Sequence, residues 1–238
     1  MSGESRASTL VLNEITIGSF ASAAREAAGV VVIIDVFRAF TTAAVALANG
    51  ATQIIMVDDL DTALAFRERN VGRYCMGERR GIRPSGFDFG NSPAEILDVR
   101  FDGETLIQTT SNGTRGISAA KAAKRVYAGS FVTAEATVQA ILNGPEAQVS
   151  LVAMGEGNGV RADEDEVCAL YLRSRLLGLQ PDPESLRTLI KTMSRRTDTN
   201  TLSAVDVDCC LNMNTAPFAI RVIEKEGFWV ATAEYAAS

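Results

Sequence analysis

The chain contains no histidine. That absence removes histidine phosphatases, Ser-His-Asp hydrolases and most zinc enzymes, because each needs an imidazole as base, nucleophile or ligand. The four cysteines, Cys75, Cys168, Cys209 and Cys210, form no Cys-x-x-Cys pair and no disulfide spacing, so a reduced, cytoplasmic chain is expected. Basic residues cluster no further than doublets, such as Arg79-Arg80 and Arg195-Arg196, against a net charge of −6. No stripe is present to neutralise nucleic-acid phosphates, so no nucleic-acid partner is expected. Met1–Leu10 lacks a signal-type apolar core, and the strongly apolar run Val30–Ile34 is far too short to span a bilayer. No membrane association is expected. What remains for chemistry is carboxylates, arginines, hydroxyls, thiols or a hard metal ion.

At 238 residues, 47 % hydrophobic and 22 % charged, the composition is that of an ordinary globular protein able to bury a sizeable core. Apolar runs of strand type alternate with helical stretches. Strands are predicted at Leu10–Ile17, Val30–Val36, Gln53–Val57, Arg73–Met76, Thr105–Thr109, Arg125–Tyr127 and Gln148–Met154. Helices are predicted at Ala39–Ala48, Leu60–Arg69, Pro93–Leu97, Thr114–Ala123, Ala134–Leu142 and Glu164–Leu177. This alternation implies a layered α/β/α fold around a mainly parallel or mixed sheet. After Gln180 the pattern turns helical, at Leu186–Met193 and Leu202–Leu211, with a short final strand at Phe228–Thr232. No Gly/Ser linker intervenes, so residues 1–238 read as one domain, with a small helical subdomain over 181–238 as the alternative.

Four predicted strand ends carry chemistry. In Asp35-Val36-Phe37-Arg38-Ala39-Phe40-Thr41-Thr42 a buried-type strand delivers a carboxylate, a guanidinium and two hydroxyls to a helix start, where open α/β sheets place ligands. Asp35 suits a metal or proton-transfer role and Arg38 a phosphate or other oxyanion. The plain structural reading is that Asp35 caps the helix and Arg38 pairs with it. Gly77-Glu78-Arg79 runs into a long loop holding Arg83, Asp88 and Asn91, and loops of that length are usually functional. Ser92-Pro93-Ala94-Glu95 is a capping box, so Ser92 reads as a cap, not a nucleophile. Thr109-Thr110-Ser111-Asn112-Gly113-Thr114-Arg115-Gly116 suits a backbone nest for phosphate, with ordinary turn chemistry as its rival. Gly155-Glu156-Gly157-Asn158-Gly159 precedes Asp163-Glu164-Asp165-Glu166, whose acids either complement a helix dipole or supply oxygen ligands for Mg²⁺. Glu164 and Asp165 are the better ligand candidates. Cys168, Cys209 and Cys210 sit in apolar helical contexts and read as structural.

These four segments, in this order, resemble the 2-phosphosulfolactate phosphatase family, most specifically through Gly90-Asn91-Ser92-Pro93 and Thr110-Ser111-Asn112-Gly113-Thr114. The resemblance covers residues from about 30 to 170. Two positions depart from the pattern: Phe40, where a small or hydroxyl residue is usual, and Ala162, where serine is frequent. The resemblance implies an α/β fold and a Mg²⁺-dependent hydrolysis of 2-phospho-3-sulfolactate to 3-sulfolactate and phosphate, a step in coenzyme M biosynthesis. The candidate site is then Asp35, Arg38 and Glu78 for catalysis. Thr41, Thr42, Arg79, Asn91, Thr110, Asn112, Gly113, Thr114 and Arg115 would bind substrate or phosphate, and Asp35, Asp88, Glu164 and Asp165 would hold Mg²⁺. A haloacid-dehalogenase route is disfavoured, because Phe37 stands where that motif needs a second aspartate. The expected partner is a small anionic phosphorylated substrate, with a homodimer as an open expectation. The competing readings are a non-catalytic binder or sensor of phosphorylated or sulfonated metabolites, and a phosphatase of the same fold acting on another phosphorylated hydroxy acid.

Overall fold

The computed structural model describes residues 12–156, 159–194 and 202–236. Along them run β1 (Glu14–Ser19), α1 (Phe20–Glu26), β2 (Val30–Ile34), α2 (Ala39–Ala48), β3 (Gln53–Met56), α3 (Leu60–Glu68), β4 (Tyr74–Gly77), β5 (Thr105–Thr109) and α4 (Gly113–Ala119). There follow β6 (Arg125–Gly129), α5 (Ala134–Leu142), β7 (Gln148–Ala153), α6 (Asp163–Leu176), α7 (Pro183–Ser194), α8 (Ala204–Cys210), β8 (Phe218–Lys225) and β9 (Phe228–Tyr235). The run predicted as a helix at Pro93–Leu97 is a single 3₁₀ turn, Ala94–Ile96. The predicted first strand begins at Leu10, and its first two residues lie outside the described set. The same holds for Arg195-Arg196 and for Gly157 and Asn158.

All nine strands form one sheet, in the order β1-β7-β2-β6-β8-β9-β3-β5-β4. The strands β1, β7, β2 and β6 are mutually parallel, as are β3, β5 and β4. Between the two groups lies the β8–β9 hairpin, antiparallel to β6 on one side and to β3 on the other. Three reversals separate the groups, so they run in opposite directions. The expected helical C-terminal portion is realised as α7 and α8, after which the chain returns to the middle of the sheet. Its turn, Glu226-Gly227, has positive φ at both residues, 53° and 83°, the type I′ geometry of a two-residue hairpin.

The sheet is rolled. Four strands separate β2 from β5, which in a flat sheet would set them about 24 Å apart. Yet Gln108 on β5 donates from Nε2 to the Ala39 carbonyl just beyond β2, at 2.9 Å. The roll encloses α2, whose residues are small and apolar enough to be buried on nearly every side: Ala39, Phe40, Ala43, Ala44, Ala46 and Leu47 share one core cluster with residues of both strand groups, among them Ile33 and Leu106. Phe40, the departure noted in the sequence, is a fully buried core side chain. The opposite face is covered in two patches, by α5 and α6 over β2, β6 and β7 and by α3 over β3, β4 and β5. Because β2 is covered on both faces, all five of its residues are buried, which is why it reads as a continuous Val/Ile run. Among the described residues, no helix is long and apolar enough to cross a membrane.

Candidate active site

Asp35 leaves β2 directly, and its Oδ1 accepts the Ala39 N–H at 3.1 Å, at the start of α2. The carboxyl is 8 % exposed. Burial pushes it up to about 6; the Ala39 N–H works against that shift, and the negative charge of Glu78 adds to it. Arg38, joined to Phe37 by a cis peptide bond, does not pair with Asp35. Its Nη1 donates to Asp206 Oδ2 on α8 at 2.9 Å, in a pair whose side chains are 10 % and 3 % exposed.

Two further acids reach this strand end from α6. Asp165, 2 % exposed, accepts the Val36 N–H at Oδ1 (2.8 Å) and the Gly155 N–H at Oδ2 (2.9 Å). It thereby ties the end of β2 to the end of β7. Burial, with the charges of Asp35 and Glu164, lifts Asp165 well above the ordinary carboxylate range. Burial also lifts the half-buried Glu164 to about 7, reinforced by Glu156, Asp35 and Asp163. The N-terminus of α6 makes no side-chain cap at Ala162, the second departure from the family pattern.

The loops after β4 and β5 close over this group. A Cβ at Gly113 would lie 2.9 Å from Asp35 Oδ2, 3.0 Å from Ala39 Cβ and 3.1 Å from the Phe40 ring. Only glycine lets the β5 turn approach the carboxylate so closely. Gly113→Ala is therefore expected to cost about 1–3 kcal/mol by overpacking, a fall of several degrees in Tm for a chain this size; an unchanged Tm in thermal unfolding would show the two loops free to separate. Asn112 donates from Nδ2 to the Gly155 carbonyl at 3.0 Å. Thr110 and Thr114 staple the turn: Thr114 Oγ1 accepts the Thr110 N–H and donates to its carbonyl, while Thr110 Oγ1 accepts the Thr114 N–H.

Several predicted residues turn out to be builders of the loops. Glu78 accepts the Ser111 N–H at Oε1 and both the Gly81 N–H and the Ser111 hydroxyl at Oε2. Its carboxylate organises the turns and adds negative charge beside Asp35. Arg79 donates to the carbonyls of Glu78 and Asp58 and to Thr109 Oγ1, so it braces strand ends instead of waiting for an anion. Asp88 is not brought to Asp35: its Oδ2 accepts the Cys75 N–H and pairs with Arg67, because its loop folds back along β4. Thr41 donates to the Val36 carbonyl. Arg115 is exposed. By contrast, Thr42 Oγ1 and Asn91 Oδ1 are buried and have no hydrogen-bond partner among the described residues; they join Arg38 as polar groups not consumed by the fold. Burial pushes the thiol of Cys75 to about 11 and those of Cys168 and Cys210 well above the ordinary value, as expected for structural cysteines.

Asp206 was missed in the sequence, because a lone acid in a short C-terminal helix gives no sign of reaching Arg38 across 168 residues. The signal present was Ser203-x-x-Asp206, and the Ser203 side chain does accept the Asp206 N–H.

Residues 19–215 match the family model described as 2-phosphosulpholactate phosphatase. The chain is 32 % identical over 180 residues to a probable 2-phosphosulfolactate phosphatase of Clostridium beijerinckii, covering 74 % of each chain. It is 31 % identical over 183 residues to a protein of the same description from Thermoplasma volcanium, covering 77 % of this chain and 84 % of that one. A third, from Pseudothermotoga lettingae, is 36 % identical over 173 residues, covering 73 % and 74 %. The matched span holds every side chain of the carboxylate group, Arg38 and the two loops that close over them, and the chain belongs to the 2-phosphosulfolactate phosphatase family, a family of phosphoric monoester hydrolases.

Proposed function

We propose that the protein hydrolyses 2-phospho-3-sulfolactate to 3-sulfolactate and phosphate with Mg²⁺ as its metal, the step that yields the sulfonated hydroxy acid for coenzyme M synthesis. The observation that carries the metal is the group of Asp35, Glu164 and Asp165: burial lifts each of them first, and the charge of Asp35 adds to the lift of both Glu164 and Asp165. Buried like charges of this kind are relieved by protons or by a cation. Among the described residues, no three acids or thiols surround a single point. An ion would therefore be held by one or two carboxylates, with water and substrate phosphate completing the shell, the usual habit of Mg²⁺. Asp35 and Glu164 fit that task best, since both oxygens of Asp165 already bind backbone N–H groups. The substrate class rests on the family, whose members named above carry that activity in their descriptions.

Phosphate-monoester hydrolysis asks a protein mainly for positioning and charge neutralisation. When bound, Mg²⁺ supplies a Lewis acid that neutralises phosphoryl oxygens and favours ionisation of water. The chain supplies the rest. Arg38 uses the donors not engaged by Asp206 to hold non-bridging oxygens. Thr42 offers a buried hydroxyl beside it, one turn along α2. Asp35 takes the proton released by the attacking water as the bond from phosphorus to the sulfolactate oxygen breaks, and that oxygen leaves with a proton drawn from water. The Asn112–Gly113 turn, pinned to Gly155, keeps bulk water from the carboxylates.

The test is phosphate release by the purified protein from 2-phospho-3-sulfolactate and a panel of phosphorylated 2-hydroxy acids, with Mg²⁺ and with a chelator. Turnover of the sulfolactate ester that disappears with the chelator and returns with Mg²⁺ is expected. Undiminished turnover in chelator overturns the metal, and turnover of another ester alone overturns the substrate. Tight ester binding with no release of phosphate would instead establish the binder reading.

A further inference from the structure

The face of α8 that meets the protein is unusual for a surface helix. It buries Asp206 and Cys210, while Val205 stands exposed. A carboxylate on the inward face of a seven-residue helix is costly unless it is fully paired. Asp206 is fully paired. Oδ1 accepts the Ser92 hydroxyl at 2.6 Å and the Ala94 N–H at 3.2 Å. Oδ2 accepts Arg38 Nη1 at 2.9 Å. Burial alone would raise this carboxyl, but the hydrogen bonds from Ser92, Ala94 and Arg38 outweigh it and hold Asp206 below its ordinary value. It therefore stays ionised as pH falls through the range in which Asp35, lifted to about 6, and Glu164, lifted to about 7, take up protons, which suits a fixed countercharge and unfits it for proton transfer.

The cluster joins three parts of the fold. Arg38 opens α2, inside the roll; Ser92 and Ala94 belong to the loop after β4; Asp206 comes from the far end of the chain. An arginine on a flexible stem gains precision when one nitrogen is fixed by a carboxylate and the others are left to a ligand. We propose that Asp206 is a positioning residue for the phosphoryl group: it fixes the Arg38 guanidinium against the Ser92–Ala94 turn in one arrangement, so that the remaining guanidinium donors meet the anion. The inference rests on the proposed role of Arg38 as the holder of phosphoryl oxygens.

Asp206→Asn keeps an acceptor for Ser92 and Ala94 but turns an amide N–H₂ toward Arg38, so the pair is lost without emptying the site. The full-length protein is titrated with inorganic phosphate by calorimetry, and KM and kcat are measured for the ester it turns over. Arg38→Ala tests the underlying reading: unchanged phosphate binding in that variant means that Arg38 does not hold the anion. With Arg38 intact, Asp206→Asn is expected to weaken phosphate binding ~10-fold and raise KM in parallel. Placed on Arg38→Ala, it is expected to add no more than ~2-fold, because coupled residues are strongly non-additive. Asp206→Glu, which keeps the charge, is expected to recover most of the binding. Losses that multiply independently of Arg38, or no recovery with glutamate, would reduce Asp206 to a structural residue and overturn the inference. Should Asp206→Asn fail to fold, Asp206→Glu and Ser92→Ala, each with and without Arg38→Ala, decide the same coupling.

Discussion

Asp35→Asn is expected to abolish turnover and, in metal-free protein, to flatten the decline of stability with pH. The first effect follows from removing a metal-holding and proton-accepting carboxylate, a change of ~10³-fold or more in kcat. The second is a matter of linkage. Asp35 is lifted from 3.8 to about 6 and Glu164 from 4.5 to about 7, so the folded state binds more protons than the unfolded one between pH 4 and 7. Where the folded state holds the extra protons, stability falls as pH rises. The full penalty is reached above the folded-state values, and for the buried Asp35 alone it amounts to about 3 kcal/mol. Thermal unfolding of chelator-treated protein should thus show Tm dropping from pH 5.5 to 8, a smaller drop for Asp35→Asn, and recovery of the wild-type Tm at pH 8 on adding Mg²⁺. A wild-type Tm that rises over that interval would mean that these acids are not held against their charge.

The local elements of this fold were legible because their signals are local. Val30–Ile34 reads as a strand buried on both faces, and the alanine-rich run after Arg38 reads as a helix; the structure adds that both are central. The two elements that escaped were α1 and β8. Phe20–Glu26 has three alanines and a positive φ at its first residue, a poor start for a helix. Phe218–Lys225 hides its alternation behind Glu226-Gly227, a pair that lacks the Asn or Asp usual in a type I′ turn. Missing β8 concealed the main topological fact, since the β8–β9 hairpin reverses the sheet between its two parallel groups.

In a single parallel sheet, loops from several strand ends meet because those ends share an edge. The strand groups run in opposite directions, and the loops meet because the sheet rolls around α2. Residue type also proved a weaker guide than the number of bonds each residue makes. Glu78, Arg79, Asp88, Thr110 and Thr114 have the chemistry of a site and use it to hold loops, whereas Asp206, whose chemistry looked ordinary, pairs with the central arginine. No sequence pattern separates a carboxylate facing a ligand from one facing two backbone amides.

Asp165 and Asp35 make that distinction measurable, because the same substitution is expected to act oppositely on the stability of the metal-free protein at pH 8. Both acids are buried and both are lifted by burial, Asp35 further by the charge of Glu78 and Asp165 further by the charges of Asp35 and Glu164. Asp35 accepts the Ala39 N–H at Oδ1, which asparagine retains while losing the unfavourable charge; the Gly113 N–H adds only a weaker bond that favours the carboxylate. Asp165 accepts one at each oxygen, 2.8 Å from Val36 N and 2.9 Å from Gly155 N. An amide has only one oxygen, so Asp165→Asn sets an N–H₂ against one of these N–H groups and leaves a buried donor unsatisfied, at a cost of about 1–3 kcal/mol. Relief of the charge offsets part of this, but the join between the ends of β2 and β7 is lost. Tm is expected to fall by several degrees, and turnover to fall with it, because Val36 lies between Asp35 and Arg38 and the Gly155 carbonyl anchors Asn112. Thermal unfolding and phosphate release from the two variants side by side test the contrast. Equal and stabilising effects would mean that Asp165 is one more repelled charge of the cluster and that its backbone bonds do not hold the site together.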